Sequence, residues 1–103
     1  MTGYHNGSTD NLFKVIADIK TAEDCRAFFE DLCTIKEIQD MAQRLETAIL
    51  LNSGENYQNI SAKVGVSSAT ISRVNRCLNY GSGGYRSAIS KITEKDDKDG
   101  NKR

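Results

Sequence analysis

The basic residues in the second half of the chain could bind an anionic partner. Residues 56–93 contain five bases and no aspartate or glutamate, although the whole chain holds 14 acidic and 14 basic residues. These bases are Lys63, Arg73, Arg76, Arg86 and Lys91. A field of one sign over one segment favours an anionic partner for that segment. The alternative is chance clustering, with the bases pairing with residues 1–55, which carry ten acids and five bases.

The spacing of apolar residues in the same segment predicts a helix-turn-helix over residues 57–79. Two short crossing helices share a small core, so apolar side chains must lie at fixed points on both. Gly65 can supply the positive φ of the turn, and Ser67 can cap the second helix. The residues expected to face inward are Ile60, Val64, Val66, Ile71 and Val74.

The opposite face of the second helix combines short side chains with arginines. Short side chains can approach base edges in the major groove, and arginines further along can contact phosphates. A purely structural hairpin has no reason to exclude acidic residues, so the pattern favours DNA binding. The predicted DNA-binding residues are Tyr57, Gln58, Lys63, Ser67, Ser68, Ala69, Thr70, Ser72, Arg73 and Arg76.

The periodicity of the whole chain predicts an all-α protein with six helices. The sequence has no sustained period-2 alternation and no proline, which argues against strands. Capping-box spacing at Thr21 and Asp24, and again at Thr34 and Glu37, predicts where two of the helices begin. The predicted organisation is a flexible leader (1–8), a helical DNA-binding domain (9–93) and a charged mobile tail (94–103). The domain comprises a dimerisation core (9–52), the helix-turn-helix (57–79) and a C-terminal helix (85–93).

Composition argues against membrane proteins, secreted proteins and enzymes. The longest apolar run, residues 48–51, is far shorter than the roughly 20 residues of a membrane span, and the polar start does not resemble a secretory signal. Three cysteines without a C-x-x-C motif and a single histidine predict no catalytic residue, metal site or cofactor. We interpret Cys25, Cys33 and Cys77 as small buried residues of a cytoplasmic protein.

Two stretches of the sequence resemble the Trp repressor superfamily. They read AQRLE over residues 42–46 and GVSSATISRVNRCLNYG over residues 65–81. Within the superfamily, the chain is similar to the YerC/YecD-type Trp repressor-related proteins of Gram-positive bacteria. The resemblance covers about residues 10–92. It implies a six-helix protomer that intertwines with a second copy as a homodimer, and the fourth and fifth helices would read DNA.

The resemblance also implies an effector pocket. Arg73 matches an arginine that lies against the ligand in the tryptophan-binding repressor. Arg44 matches a second arginine, which holds the ligand carboxylate, and Thr34 matches a threonine near the ligand. Val74 stands where that repressor has glycine, so we expect the pocket to be altered or filled. The requirement for L-tryptophan is therefore not expected to transfer.

These observations predict a dimeric transcriptional regulator, a repressor that reads a palindromic operator in double-stranded DNA without L-tryptophan. One alternative is a repressor of the same fold gated by an unidentified amino-acid-like effector. Another is a helical adaptor that binds an acidic protein. A recombinase would need a separate catalytic domain, for which 103 residues leave no room. Tyr57, Tyr80 and Tyr85 are interpreted as packing or phosphate-contacting residues.

Overall fold

The computed structural model describes residues 6–99, with side chains described through residue 93, and this part of the chain forms six α-helices. The class and the number of helices agree with the prediction. The helices are α1 (Gly7–Asp18), α2 (Ala22–Leu32), α3 (Ile35–Asn52), α4 (Tyr57–Val64), α5 (Ser68–Tyr80) and α6 (Gly84–Asp99). In residues 6–99, none of these helices is long and apolar enough to cross a membrane.

The first compact unit, Met1–Ile38, contains α1, α2 and the first turn of α3. The predicted capping at Thr21 is present, because the Asp24 N–H donates to the Thr21 hydroxyl at 3.0 Å. The Thr34 capping box is complete: the Glu37 N–H donates to the Thr34 hydroxyl at 3.1 Å, and the Thr34 N–H donates to the Glu37 carboxylate at 2.8 Å. Within the described part of this unit, neither α1 nor α2 contains a buried residue.

The second compact unit, Gln39–Arg103, contains the rest of α3 together with α4, α5 and α6. Its main core cluster joins three helices through Ala48 of α3, Val74 and Leu78 of α5, and Ile89 of α6. Ile49, Leu51 and Tyr85 pack against this cluster. The boundary between the units falls inside α3, so the predicted dimerisation core of residues 9–52 extends across both units.

Both ends of the helical region lie further out than predicted. Gly7 and Ser8, assigned to the leader, are in α1, because Asn6 caps the helix: the Thr9 N–H donates to the Asn6 side chain and the Asn6 N–H donates to the Thr9 hydroxyl. Helix α6 continues to Asp99, through most of the predicted tail. The sequence contains no glycine or proline between Tyr85 and Asp99, so no helix breaker stops it earlier. Residues 1–5 and 100–103 of the predicted leader and tail lie outside the described residues.

The expectation that all three cysteines are buried is wrong for Cys77. Cys25 and Cys33 are half-buried, whereas Cys77 is exposed, and all three are free thiols. In α5 the buried positions are Ile71, Val74 and Leu78. Cys77 lies four residues after exposed Arg73 and so shares the outward side of the helix with it.

Candidate nucleic-acid interface

The turn between α4 and α5 has the predicted conformation. Gly65 adopts φ +84° and ψ 29°, in the left-handed region, and its N–H donates to the Ser61 carbonyl at 2.9 Å. A side chain at Gly65 would meet open space, so the requirement for glycine here is conformational. The Ser61 hydroxyl donates to the Val66 carbonyl at 2.9 Å and closes the turn on its other side. Ser67 then caps α5 by accepting from the Thr70 N–H at 3.1 Å.

The inward face of the helix-turn-helix is buried as the apolar spacing predicts. Ile60 of α4 and Ile71 of α5 have no exposed surface, and Val74 is 2% exposed. Val64 and Val66, at the turn, are half-buried. The core fixes which side of α5 faces solvent, because residues at i and i+3 or i+4 share one side of a helix.

The outward face of α5 carries five of the ten residues predicted to contact DNA. Thr70 is the one predicted residue of α5 that is not exposed: it is half-buried and lines a cleft, because it lies four residues before buried Val74 and so on the same side of the helix. Tyr57 and Gln58, in the first turn of α4, are exposed. The other exposed members of the predicted set are Lys63 of α4 and, at the start and along the outward side of α5, Ser67, Ser68, Ala69, Ser72, Arg73 and Arg76.

The cations of the predicted set differ in their partners. Among the described residues, Arg73 and Arg76 make no hydrogen bond or ion pair, so both guanidinium groups are available to an anionic ligand. Lys63 instead donates to Glu55 at 2.9 Å. The Lys63 ammonium and the Asn59 side-chain amide, which donates to Glu55 at 3.1 Å, lower the pKa of the Glu55 carboxyl. The acid-free segment therefore begins one residue after the carboxylate that pairs with Lys63.

The three tyrosines considered for packing or phosphate contact have different environments. Tyr85 is half-buried against the core cluster, and Tyr57 is 37% exposed. Tyr80, at the end of α5, is 86% exposed. It lies four residues after Arg76 and therefore on the same side of the helix. The surface of free cations on α5 is thus continued by an aromatic side chain that does not pack in the core.

A cleft of about 210 Å³ lies between α3 and the helix-turn-helix. Its lining is mostly polar and comprises Asp40, Gln43, Arg44, Val66 and Thr70. The i, i+3 and i, i+4 relations place the three α3 residues on one side of that helix. The sequence analysis identified Arg44 but not Asp40 or Gln43, although the four-residue spacing of Asp40 from Arg44 and the three-residue spacing of Gln43 from Asp40 could have revealed them.

The four residues predicted for an effector pocket are placed differently from one another. Arg44 lines the cleft, whereas Val74 is buried in the core cluster and Arg73 is exposed on the outward face of α5. Thr34 belongs to the first compact unit, where it caps α3. The branched side chain of Val74 therefore packs against core residues and does not line the cleft.

Arg86 makes contacts that the sequence pattern did not indicate. Its guanidinium group donates to the side chain of Asn52 at 3.1 Å and to the side chain of Asn79 at 2.9 Å. The amide of Asn79 in turn donates to the carbonyl and side-chain oxygens of Asn75, both at 3.0 Å. The predicted group of cations available to an anionic partner includes Arg86, but the structure shows its guanidinium group hydrogen-bonded between the ends of α3 and α5.

Comparison with known proteins relates the chain to one family. The family described as Trp repressor protein matches residues 7–93. The chain is 52% identical over 85 residues to the uncharacterized protein YerC of Bacillus subtilis (strain 168), an alignment that covers 82% of each protein. It is also similar to the crystal structure of a candidate Trp repressor from Staphylococcus aureus, with 38% identity, a TM-score of 0.82, and 86% and 89% of the two chains covered. A TrpR-like protein from Eubacterium eligens gives 43% identity, a TM-score of 0.80, and coverage of 84% and 89%.

Proposed function

Because the chain belongs to the Trp repressor family, we propose that it is a dimeric, sequence-specific DNA-binding regulator. The observation that carries the proposal is the outward face of α5, where exposed Ser68, Ala69 and Ser72 are accompanied by the unpaired guanidinium groups of Arg73 and Arg76. The family consists of regulators and not of enzymes. We accordingly assign this protein no catalytic residue, metal ion or cofactor.

In the proposed complex, α5 enters the major groove by its N-terminal end. The short side chains of Ser68, Ala69 and Ser72 approach base edges and supply specificity, whereas Arg73 and Arg76 hold phosphates. In the dimer, each chain would contribute its helix-turn-helix, residues 57–79, as one DNA-binding head. Two heads related by a two-fold axis would read a palindromic site with half-site centres about 34 Å apart. Binding in this way would occlude the site, and we propose that the protein represses transcription in the cytoplasm.

Apolar residues of the first compact unit support a homodimer. Phe13, Leu32 and Ile35 are 52%, 50% and 76% exposed, and the described part of α1 and α2 buries no residue. Amphipathic helices of this kind become stable by covering their apolar side. We propose that a second copy of the chain provides that cover, as the intertwined arrangement expected from the family would.

Burial of Val74 supports DNA binding that does not depend on L-tryptophan. Val74 packs in one cluster with Ala48 of α3 and Ile89 of α6, so contacts within the chain hold α5 against its neighbours. A ligand changes such an arrangement only through different contacts with its two states. The alternative, a small carboxylate effector, is supported by the cleft, where Arg44 has no hydrogen bond or ion pair among the described residues.

Selection of bound sequences from a random DNA pool, with and without a mixture of amino acids, tests the proposal. Recovery of a palindrome without the mixture is the expected result. A palindrome recovered only with the mixture would instead establish an effector-gated repressor. Failure to recover any sequence, together with binding to acidic proteins, would favour the adaptor.

The salt dependence of binding provides an independent test. We expect log K to fall against log[salt] with a slope of about −5 or steeper, because each of two heads would neutralise several phosphates. Arg76→Ala should weaken binding to specific and random DNA alike and make the slope shallower. The matched control is Arg26→Ala, which removes an exposed arginine of α2 and should leave both quantities unchanged. A slope near zero for the wild type would contradict DNA binding.

A further inference from the structure

We infer that Arg86 positions the DNA-reading helix α5 and does not itself contact DNA. This inference rests on the proposed DNA-binding function. The Arg86 guanidinium group is held by two side chains from different helices, Asn52 at the last residue of α3 and Asn79 near the end of α5. Arg86 itself lies in the first turn of α6. One side chain thus ties together the adjoining ends of three helices, and we call this group the Arg86 bridge.

The position of the bridge suits a cation. The carboxyl-terminal end of a helix carries a partial negative charge, which favours a nearby positive group. The Arg86 bridge lies at the carboxyl-terminal turns of both α3 and α5, and these two favourable helix ends are set against the positive amino-terminal end of α6, which begins at Gly84. The planar guanidinium fork can serve two acceptors at fixed angles, which a lysine ammonium on its flexible chain cannot reproduce.

The bridge supplies directional contacts that the apolar core of this unit does not. Ala48, Val74, Leu78 and Ile89 hold α5 by burial, and burial is not directional. Hydrogen bonds depend on angle as well as distance. The Asn79 amide also donates to both oxygen acceptors of Asn75, one turn earlier in α5. The bridge therefore continues along the helix instead of ending at a single side chain.

A small change in orientation at the Arg86 bridge would displace the amino-terminal end of α5, which is the end proposed to contact base edges. Asn79 and Ser68 lie near opposite ends of α5, about 16 Å apart at a rise of about 1.5 Å per residue. Pivoting α5 about its carboxyl-terminal end by about 5° would move Ser68 by about 1.4 Å over that length. Such a displacement is large compared with the narrow range of hydrogen-bond distances. Loss of the bridge should therefore reduce specific binding more than non-specific binding.

The test measures the affinity of each protein for the selected palindrome and for random DNA over a range of salt concentrations. The proteins compared are the wild type, Arg86→Ala, Arg86→Lys, Asn79→Ala and the double variant Arg86→Ala/Asn79→Ala. Because these hydrogen bonds are exposed, we expect each single variant to lose about three- to tenfold in specific affinity, no more than one charged hydrogen bond contributes. Affinity for random DNA should remain within about twofold of the wild-type value. The slope of log K against log[salt] should differ from that of the wild type by no more than about 0.5. The double variant should lose no more than either Ala variant alone, because both act through one bridge.

A direct phosphate contact would give a different pattern. In that case Arg86→Lys would bind like the wild type, and Arg86→Ala would weaken binding to both DNAs and reduce the salt slope by about one per head. Either that pattern or unchanged binding of every variant would overturn the inference while leaving the proposed function intact. If the wild type binds no DNA, the proposed function fails, and this inference fails with it. Circular dichroism and urea unfolding establish that each variant is folded.

Discussion

Helices α1 and α2 bury no residue within their described lengths, whereas α4 and α5 bury four. Both pairs are amphipathic, so the difference is not one of sequence pattern. In the helix-turn-helix, the apolar side of one helix faces the next across a short turn, and Ile60 and Ile71 become fully buried. Phe13 and Leu32 in the first pair remain about half exposed. The same periodicity can therefore mark a core that is complete within one chain or an apolar surface that one chain leaves exposed.

The largest effect is expected from a charge placed on the uncovered surface. Phe13→Asp should raise the dissociation constant of the proposed dimer by about a thousandfold or more, because an unpaired carboxylate buried at an interface costs several kcal/mol. Sedimentation across micromolar concentrations measures this. Asn11→Asp is the matched control, since it adds the same charge at an exposed polar position of α1. Equal dissociation constants for the two variants would contradict the proposal that a second chain covers the apolar side of α1.

The next effect concerns the closed core of the helix-turn-helix. Ile71→Ala should lower the free energy of unfolding by about 2–5 kcal/mol, because it removes a side chain with no exposed surface and leaves a cavity. Urea unfolding at a fixed protein concentration measures the change. Ile92→Ala on α6, where the isoleucine is 42% exposed, should cost less than about 1 kcal/mol. Comparable losses in the two variants would show that burial of Ile71 does not dominate the stability of this region.

The contrast also explains which features the sequence could predict. The helix-turn-helix was predictable because its determinants are local: Gly65 turns the chain, Ser67 caps α5, and Ile60 and Ile71 lie at fixed spacing on either side. The interpretation of Thr70 as a DNA-contacting residue did not allow for its position one turn before buried Val74, which places it on the side of α5 that faces the cleft.

Features that depend on distant or weakly patterned residues were missed. Arg86 and Asn52 are 34 positions apart, and polar side chains give no periodic signal that would pair them. The early start of α1 depends on Asn6 and Thr9, which were assigned to the leader and to the start of the helix respectively. The proposed dimer is harder still to predict, because in it the residues that cover Phe13 would belong to another molecule.

A smaller effect separates backbone conformation from packing within the helix-turn-helix. Gly65→Ala should destabilise the protein by about 1–2 kcal/mol, because a non-glycine residue is strained at φ +84°. Added atoms meet open space there, so the loss would reflect conformation alone. Gly84→Ala offers a control at the start of α6, with equally open space and without positive φ, and should be neutral or stabilising. Gly65→Asn should retain more stability than Gly65→Ala, since asparagine tolerates the left-handed region better. If all three variants are equally stable, the turn does not depend on the conformation of Gly65.

The smallest effect concerns Glu55, which keeps Lys63 from acting as a free cation like Arg76. Glu55→Gln removes the charge that pairs with Lys63 at 2.9 Å and should raise affinity for DNA by about two- to fivefold at neutral pH, the range of an exposed ion pair. Because Lys63 is already engaged, Lys63→Ala should weaken binding less than Arg76→Ala.

The pKa of Glu55 is lowered in the folded protein, chiefly by the hydrogen bond from Lys63. The pair therefore stabilises the fold above the ordinary glutamate pKa of about 4.3, and this contribution is lost as the pH falls through the lowered value. Urea unfolding of the wild type and Glu55→Gln should accordingly differ at pH 7 and converge in strong acid. A difference that persists at low pH would mean that the glutamine acts through packing, and an unchanged DNA affinity at pH 7 would mean that Lys63 lies away from the phosphates.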